Sequence, residues 1–255
     1  MKKLSSYILF FMFISLISCK EDTVTNPPIN DSDFFPAKVG SKYYYNFYYD
    51  VNPALNGGKT ISIVDTTNIL GTPYFVEIDS SIFEGLLKVD TTFFRKSRTG
   101  IFYFIDTTGV SEFIPDSIRN QLSIDTESRL LFFPLTLNQT WPVYQIDITF
   151  SGVPIFSIVK VTAKVVESYM LTRTFRDSSI TRTVNKIKYD MDIQLSPTSP
   201  KETFTAFGYT MDGVGFIKWE GEELLLNLIR GGKLNFTGTI TSSVIIEELA
   251  SHSIP

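Results

Sequence analysis

An all-β fold, laid out as a large antiparallel meander or half-barrel-like sheet with little helix, is what this sequence predicts. Three observations predict it. From residue 41 onward apolar and polar side chains alternate with period two. Glycine-bearing turn signals recur between the alternating runs, and scarcely any stretch keeps a helical period. Short strands joined by hairpin turns give antiparallel neighbours, because parallel ones need crossover helices.

The elements follow in order. Residues 43–49 (Tyr43 to Tyr49) and 101–105 are apolar on both faces, as strands with a second covered surface would be. Tyr74, Val76 and Ile78 alternate with Glu77 and Asp79. The same half-buried pattern marks 144–150, 155–166 and 184–195, in the last of which Ile187, Tyr189, Met191 and Ile193 oppose Lys186, Lys188, Asp190 and Asp192. The templates give roughly a dozen strands. Turns are expected at Asn56-Gly57-Gly58, Thr99-Gly100, Thr108-Gly109, Ser151-Gly152, Asp212-Gly213, Glu220-Gly221 and Gly231-Gly232. Residues 196–201 read as a loop, and 115–122 as two turns of helix, with Pro115 and Asp116 near its start. The C-terminal residues read as a short helix or a frayed strand carrying His252 in a flexible tail.

Composition bounds the chemistry. The 255 residues, 43% hydrophobic and 20% charged, are enough for a sizeable core and too apolar for a disordered chain. One cysteine excludes an intrachain disulfide and Cys-cluster metal sites. One histidine, His252, argues against His-rich metal sites and triad chemistry. No metal and no cofactor are expected, and a negative charge gives no reason to bind nucleic acid.

The N-terminus states where the chain goes. Lys2 and Lys3 precede an uncharged stretch, 4–18, whose apolar heart is too short to span a bilayer and fits a signal peptide. Leu16-Ile17-Ser18-Cys19 resembles the bacterial lipobox. The resemblance implies that residues 1–18 are removed and that Cys19 becomes the acylated mature N-terminus, anchoring the chain stably through more than one acyl chain. Residues 19–33 then form the lipidated N-terminus and a flexible tether containing Pro27-Pro28. Lys20-Glu21-Asp22 resembles the acidic signal that sends lipoproteins of Bacteroidota-like bacteria to the cell surface. Loss of Lys2 and Lys3 leaves a mature charge of −6.

Residues 34–255 form the β-rich domain, and two segments in it look alike. Phe34-Phe35-Pro36 runs through Gly40 to Tyr43, and Phe132-Phe133-Pro134 through Asn138 to Trp141, 98 residues later. In each, the aromatic pair plugs a core, proline fixes an extended backbone, Gly or Asn accepts positive φ, and an aromatic starts a strand. The spacing suggests two similar units, 34–131 and 132–255. The first segment also resembles the Phe-Pro-x-x-x-Gly opening of uncharacterised envelope lipoproteins of Bacteroidota and related phyla, with Tyr43 where Trp is usual. Gly213-Val214-Gly215-Phe216-Ile217-Lys218 resembles their later Gly-Val-Gly strand. The resemblance implies a β-rich envelope protein without assigned chemistry.

Candidate sites are few. Gly213-Val214-Gly215 lacks the remaining glycines and the helix of a phosphate loop, and reads as a hairpin strand with close backbone approach. The triplets at Asp65, Asp90 and Asp106, each followed by two threonines, match no calcium loop and read as strand residues. No catalytic residue stands out. Tyr43, Tyr45, Trp141 and Trp219 are the candidate ligand contacts, since such aromatics stack on sugars or line an apolar pocket. The resulting expectation is a non-enzymatic lipoprotein of the outer membrane, held by its N-terminal lipid and binding a small apolar ligand or a glycan on a curved sheet. The alternatives are a structural adaptor with an envelope protein as partner, and a carboxylate-dependent hydrolase.

Overall fold

A computed structural model describes residues 35–49, 56–83, 85–107, 120–175, 178–232 and 243–255. The signal peptide, Cys19, the tether, Thr108-Gly109 and most of the expected helix at 115–122 lie outside these residues. Of that helix only the end is described, and there Leu122 begins a strand.

Among the described residues the strands are β1 (Lys42–Tyr49), β2 (Gly57–Ile69), β3 (Thr72–Phe83), β4 (Leu86–Ser97), β5 (Gly100–Phe104), β6 (Leu122–Ile124), β7 (Glu127–Phe132), β8 (Thr140–Phe150), β9 (Val153–Phe175), β10 (Ser178–Ile193), β11 (Glu202–Met211), β12 (Gly215–Glu222) and β13 (Val244–Ser253), with a helix, α1 (Glu223–Ile229), before β13. They form a single antiparallel sheet in the order β6-β8-β9-β10-β11-β12-β13-β1-β2-β3-β4-β5-β7. The expected all-β, half-barrel-like meander is therefore what the chain adopts.

Chain connectivity explains the curl. Strands β6 and β7 stand at opposite ends of the order, yet only Asp125 and Thr126 separate them. Three peptide steps span no more than about 11 Å, so the two ends of the sheet must come together. The Trp141 indole N–H donates to the Arg129 carbonyl at 3.0 Å, and the Tyr189 hydroxyl to the Leu130 carbonyl at 2.9 Å. Inside the curl, α1 buries Leu225, Leu226, Leu228 and Ile229 and packs against β7, β11 and β12.

Two five-stranded meanders, β1–β5 and β8–β12, are joined in the sheet by β13. Each begins with the same turn. Gly40 N–H donates to the Ile63 carbonyl at 2.7 Å and Ile63 N–H to the Ser41 carbonyl at 2.9 Å. Asn138 N–H donates to Val165 at 2.9 Å, and Val165 N–H to Gln139 at 3.0 Å. The Ser41 hydroxyl accepts from the Lys38 N–H at 3.2 Å, as the Gln139 side chain does from Thr136 at 3.0 Å. Gly40 and Asn138 both have positive φ, 94° and 66°. Phe35 and Phe133 are both buried, as are Tyr43 and Trp141.

Several local expectations change. The C-terminal segment is neither helix nor frayed strand but β13, paired on both sides. His252 stacks on Tyr43 at 6.4 Å, with Phe175 edge-on at 5.1 Å, and is not in a loose tail. Gly221 lies within β12, where a Cβ would come within 2.4 Å of the Ala206 Cα, so glycine there serves close strand approach and not a turn. Gly57 and Gly58 belong to β2, and Gly231-Gly232 follows α1. The helix α1 itself was not anticipated.

Candidate functional site

The described residues form an open cleft of about 730 Å³ under the lower half of β4, facing the C-terminal end of α1. Alternation on β2 and β3 aims Lys59, Glu77 and Asp79 inward. The last turn of α1 delivers Arg230, and β13 brings Glu247 from the other side. Thr92 on β4 and Tyr103 on β5 complete the inner wall.

Four of these side chains close a ring of charge. Lys59 Nζ lies 2.7 Å from Asp79 Oδ2 and 2.8 Å from Glu247 Oε1. Arg230 Nη1 lies 3.0 Å from Glu247 Oε2, and its Nη2 lies 3.6 Å from Asp79 Oδ2. Glu247 is 1% exposed, so its charge survives only through these partners. Burial would raise its pKa, but Arg230 and Lys59 outweigh burial and hold it below the usual carboxylate range. Burial likewise works against the Arg230 charge, and Glu247 and Asp79 more than restore it.

Glu77 behaves differently. It makes no ion pair with a described residue and instead accepts hydrogen bonds from the Tyr103 hydroxyl at 3.1 Å and the Thr92 hydroxyl at 3.1 Å. Burial pushes its pKa up, against the opposing pull of Arg230. Lys59 and Arg230 thus face Asp79 and Glu247, while Glu77 stands apart from the ring on its two hydrogen bonds. On the rim, Lys88 pairs with Asp90 at 2.9 Å. Asn227 at the end of α1 adds an amide.

The anticipated aromatic contacts lie elsewhere. Tyr43, Tyr45 and Trp219 come together around an internal void of only about 30 Å³, walled also by Phe35, Phe216, Tyr103 and Leu130. That is room for a water or two, not for an acyl chain. The Tyr45 hydroxyl donates to the Phe216 carbonyl at 2.9 Å and that of Tyr43 to Pro36 at 3.1 Å. Trp141 is apart from them, buried near Phe132. None of the four lines the open cleft; the void meets it only through shared Glu77 and Arg230.

The cleft residues had a partial signal in the sequence. Two of the three Asp-Thr-Thr triplets supply its wall, with Asp90, Thr91, Thr92 and Asp106 among the lining residues. The charge ring had none: its members come from residues 59, 79, 230 and 247, and only the fold joins them.

No family model matches the chain, and no curated protein does. Two solved structures are similar in backbone. One is from Parabacteroides distasonis, described provisionally as a lipoprotein, 10% identical with a TM-score of 0.43. The other is from Bacteroides fragilis, described provisionally as an exported protein with a YmcC-like fold, 11% identical with a TM-score of 0.45. In each case 86% of this chain and 98% of the other are covered.

Proposed function

We propose that the chain is a bacterial envelope lipoprotein, anchored to the outer membrane through Cys19, whose domain binds an uncharged glycan in the cleft beneath β4. The observation that carries the ligand class is the pairing of both cations of the inner wall. Lys59 and Arg230 are satisfied by Asp79 and Glu247, so an anionic ligand gains no free cation. Residues bearing hydroxyl, carboxyl and amide groups nonetheless line the opening. Neutral polyhydroxyl ligands match that combination, by hydrogen bonds at the polar groups. Of the two ligand classes suggested by the sequence, the glycan suits this cleft, and the small size of the aromatic void disfavours the apolar one. The reading is of a binding module, with the lipid as its hold on the membrane.

The test is calorimetric titration of the protein with neutral oligosaccharides, anionic oligosaccharides and long-chain fatty acids. Binding is expected for a neutral oligosaccharide alone. Asn227→Ala and Thr91→Ala, both outside the charge ring, should each weaken it about fivefold, the loss of one hydrogen bond of ~1 kcal/mol. Binding of fatty acid but no sugar would overturn the glycan reading. Separately, Cys19→Ala should abolish palmitate incorporation and release the chain from membranes.

A further inference from the structure

The sheet has two ends, and the register fixes which turns share each one. Pairing runs from Phe150↔Val153 through Val159↔Ile193, Ile193↔Glu202, Ala206↔Gly221, Glu222↔Val244, Ile245↔Tyr49, Phe47↔Gly57 and Gly57↔Phe83. The β8–β9 and β3–β4 hairpin tips therefore lie at the same end. Because the ends of the strand order meet, only β5, β7 and β6 stand between these two hairpins across the seam.

Both tips expose apolar cross-strand pairs. Phe150 and Val153 face each other at 67% and 62% exposure, with Ile155 at 65% beside them. Ile82 and Leu87 face each other at 55% and 66%, next to Leu86 at 75%. Lysines flank both: Lys88, paired with Asp90, on one, and Lys160 and Lys201, the latter paired with Asp192, in the groove beside Ile155 on the other. At the opposite end the exposed apolar residues are more scattered, such as Val39, Leu70 and Leu137. Apolar tips flanked by long cationic side chains are the chemistry of an interfacial contact, with rings and branched chains in the acyl boundary and ammonium groups at headgroup level.

We infer that the two hairpin tips dock onto the lipid bilayer that holds Cys19, laying the domain on the membrane by this end. The inference rests on the lipoprotein reading for what keeps the bilayer near. Residues 19–34 reach at most about 54 Å when fully extended. They join the domain at Phe35, which touches Gly215 at the other end of the strands. Twelve strand residues separate the two ends, about 40 Å, so the tether is long enough to let the tips reach the surface. Confinement within that distance raises the local lipid concentration, so two small tips can act without a large patch.

The experiment uses the acylated protein in vesicles of phosphatidylethanolamine and phosphatidylglycerol. Acylation blocks Cys19, so Val153→Cys, Leu87→Cys and Leu70→Cys each offer a single thiol for an environment-sensitive fluorophore. Probes at 153 and 87 are expected to shift to the blue and to be quenched at least threefold more by nitroxide-labelled lipid than the probe at 70. Deleting residues 23–32 leaves a reach of about 20 Å and should abolish that difference. Equal, water-like signals at all three sites would overturn the docking. So would protection at 153 and 87 that appears in native envelope vesicles but not in pure lipid, which would mark a protein partner. Failure of the lipoprotein reading is seen apart from this, as fluorophore on Cys19 in the unmutated chain. In that event the probes at 153 and 87 are read with the protein held to the same vesicles by a hexahistidine tag placed at residue 19 on nickel-chelating lipid, which restores the confinement, and absence of quenching there overturns the docking as well.

Discussion

The two meanders share a backbone frame and fill it with opposite chemistry. Counting from the matched pairs Gly40–Ile63 and Asn138–Val165, Lys59 on β2 falls where Val161 lies on β9. On the next strand Glu77 pairs with Ile63 as Ile187 pairs with Val165, and Asp79 pairs with Ile61 as Tyr189 pairs with Ala163. The second meander thus buries Val161, Ile187 and Tyr189, each essentially inaccessible, where the first holds Lys59, Glu77 and Asp79. One strand further, Thr92 is matched by Gly208, over which the Trp219 ring lies so close that a Cβ would meet it at 2.6 Å. The apolar version closes into a packed core. The charged version needs partners from α1 and β13, and leaves a cleft. A cleft therefore comes from the choice of side chains at a few inward positions, not from a different sheet.

The largest test exchanges those side chains. Lys59→Val writes the second meander's residue into the first and leaves Asp79 and Glu247 with Arg230 alone. Removing one partner from a buried ion pair costs about 3–5 kcal/mol, and the remaining Arg230 places this variant near the lower figure. Urea unfolding reads the loss. The converse, Val161→Lys, puts an ammonium among the apolar side chains of Tyr144 and Met191 on the adjoining strands, and should cost more or prevent folding. If Lys59→Val cost under about 1 kcal/mol, the ring would be a solvated ornament and the comparison would lose its energetic content.

Sequence patterning reached the sheet because a strand with one wet face declares itself residue by residue. The run from Ile187 to Ile193 is β10, and Tyr74 to Ile78 is part of β3. The matched turns were legible for the same reason, since Phe-Pro, a residue tolerant of positive φ and a strand-starting aromatic are local instructions. The site was not. Period two sets Glu77 and Asp79 on a wet face opposite Val76 and Ile78, whereas the fold buries Glu77 and leaves Val76 and Ile78 half-buried; alternation cannot tell a wet face from a charged cleft wall. The partners that decide it, Arg230 and Glu247, sit 171 and 188 residues from Lys59 along the chain. Aromatic content pointed instead to Tyr43, Tyr45, Trp141 and Trp219, which are large enough to fill the interior and do so. The helix α1 leaves no signature in the sequence because Glu223 to Ile229 is too short to show a period, and its apolar side chains are buried by the surrounding sheet.

A smaller difference separates the two turns. Gly40 has φ of 94°, and a Cβ there would lie 2.9 Å from Pro255 Cγ; Asn138 reaches φ of 66° with a side chain in place. Gly40→Ala should cost about 1–2 kcal/mol from the left-handed backbone, with the contact to Pro255 added. Asn138→Gly should change stability by a few tenths at most, because glycine accepts the same φ. Thermal unfolding of both variants measures the contrast. Equal losses would mean that the turns, alike in bonding, are under different constraints from their surroundings.

The subtlest prediction concerns the two buried glutamates, which have no charged equivalent in the second meander. Glu77 is raised from its ordinary value of 4.5 by burial, whereas Glu247 is lowered by Arg230 and Lys59 against burial. A carboxyl raised on folding favours the native state below its unfolded pKa, and that advantage is lost as pH rises through the folded value. A lowered one favours the native state above the unfolded pKa, and loses that advantage as pH falls through the folded value. Glu77→Gln copies the protonated form, so it should differ from the parent by no more than about 1 kcal/mol in acid and gain on it as pH climbs past 4.5. Glu247→Gln should do the reverse, costing most near neutrality and progressively less toward acid. Urea unfolding across pH 4 to 8, with Ile187→Val as a reference whose difference stays flat, gives the two slopes. Slopes of the same sign would mean that Glu77 titrates like Glu247, and the contrast between a hydrogen-bonded and an ion-paired acid would be lost.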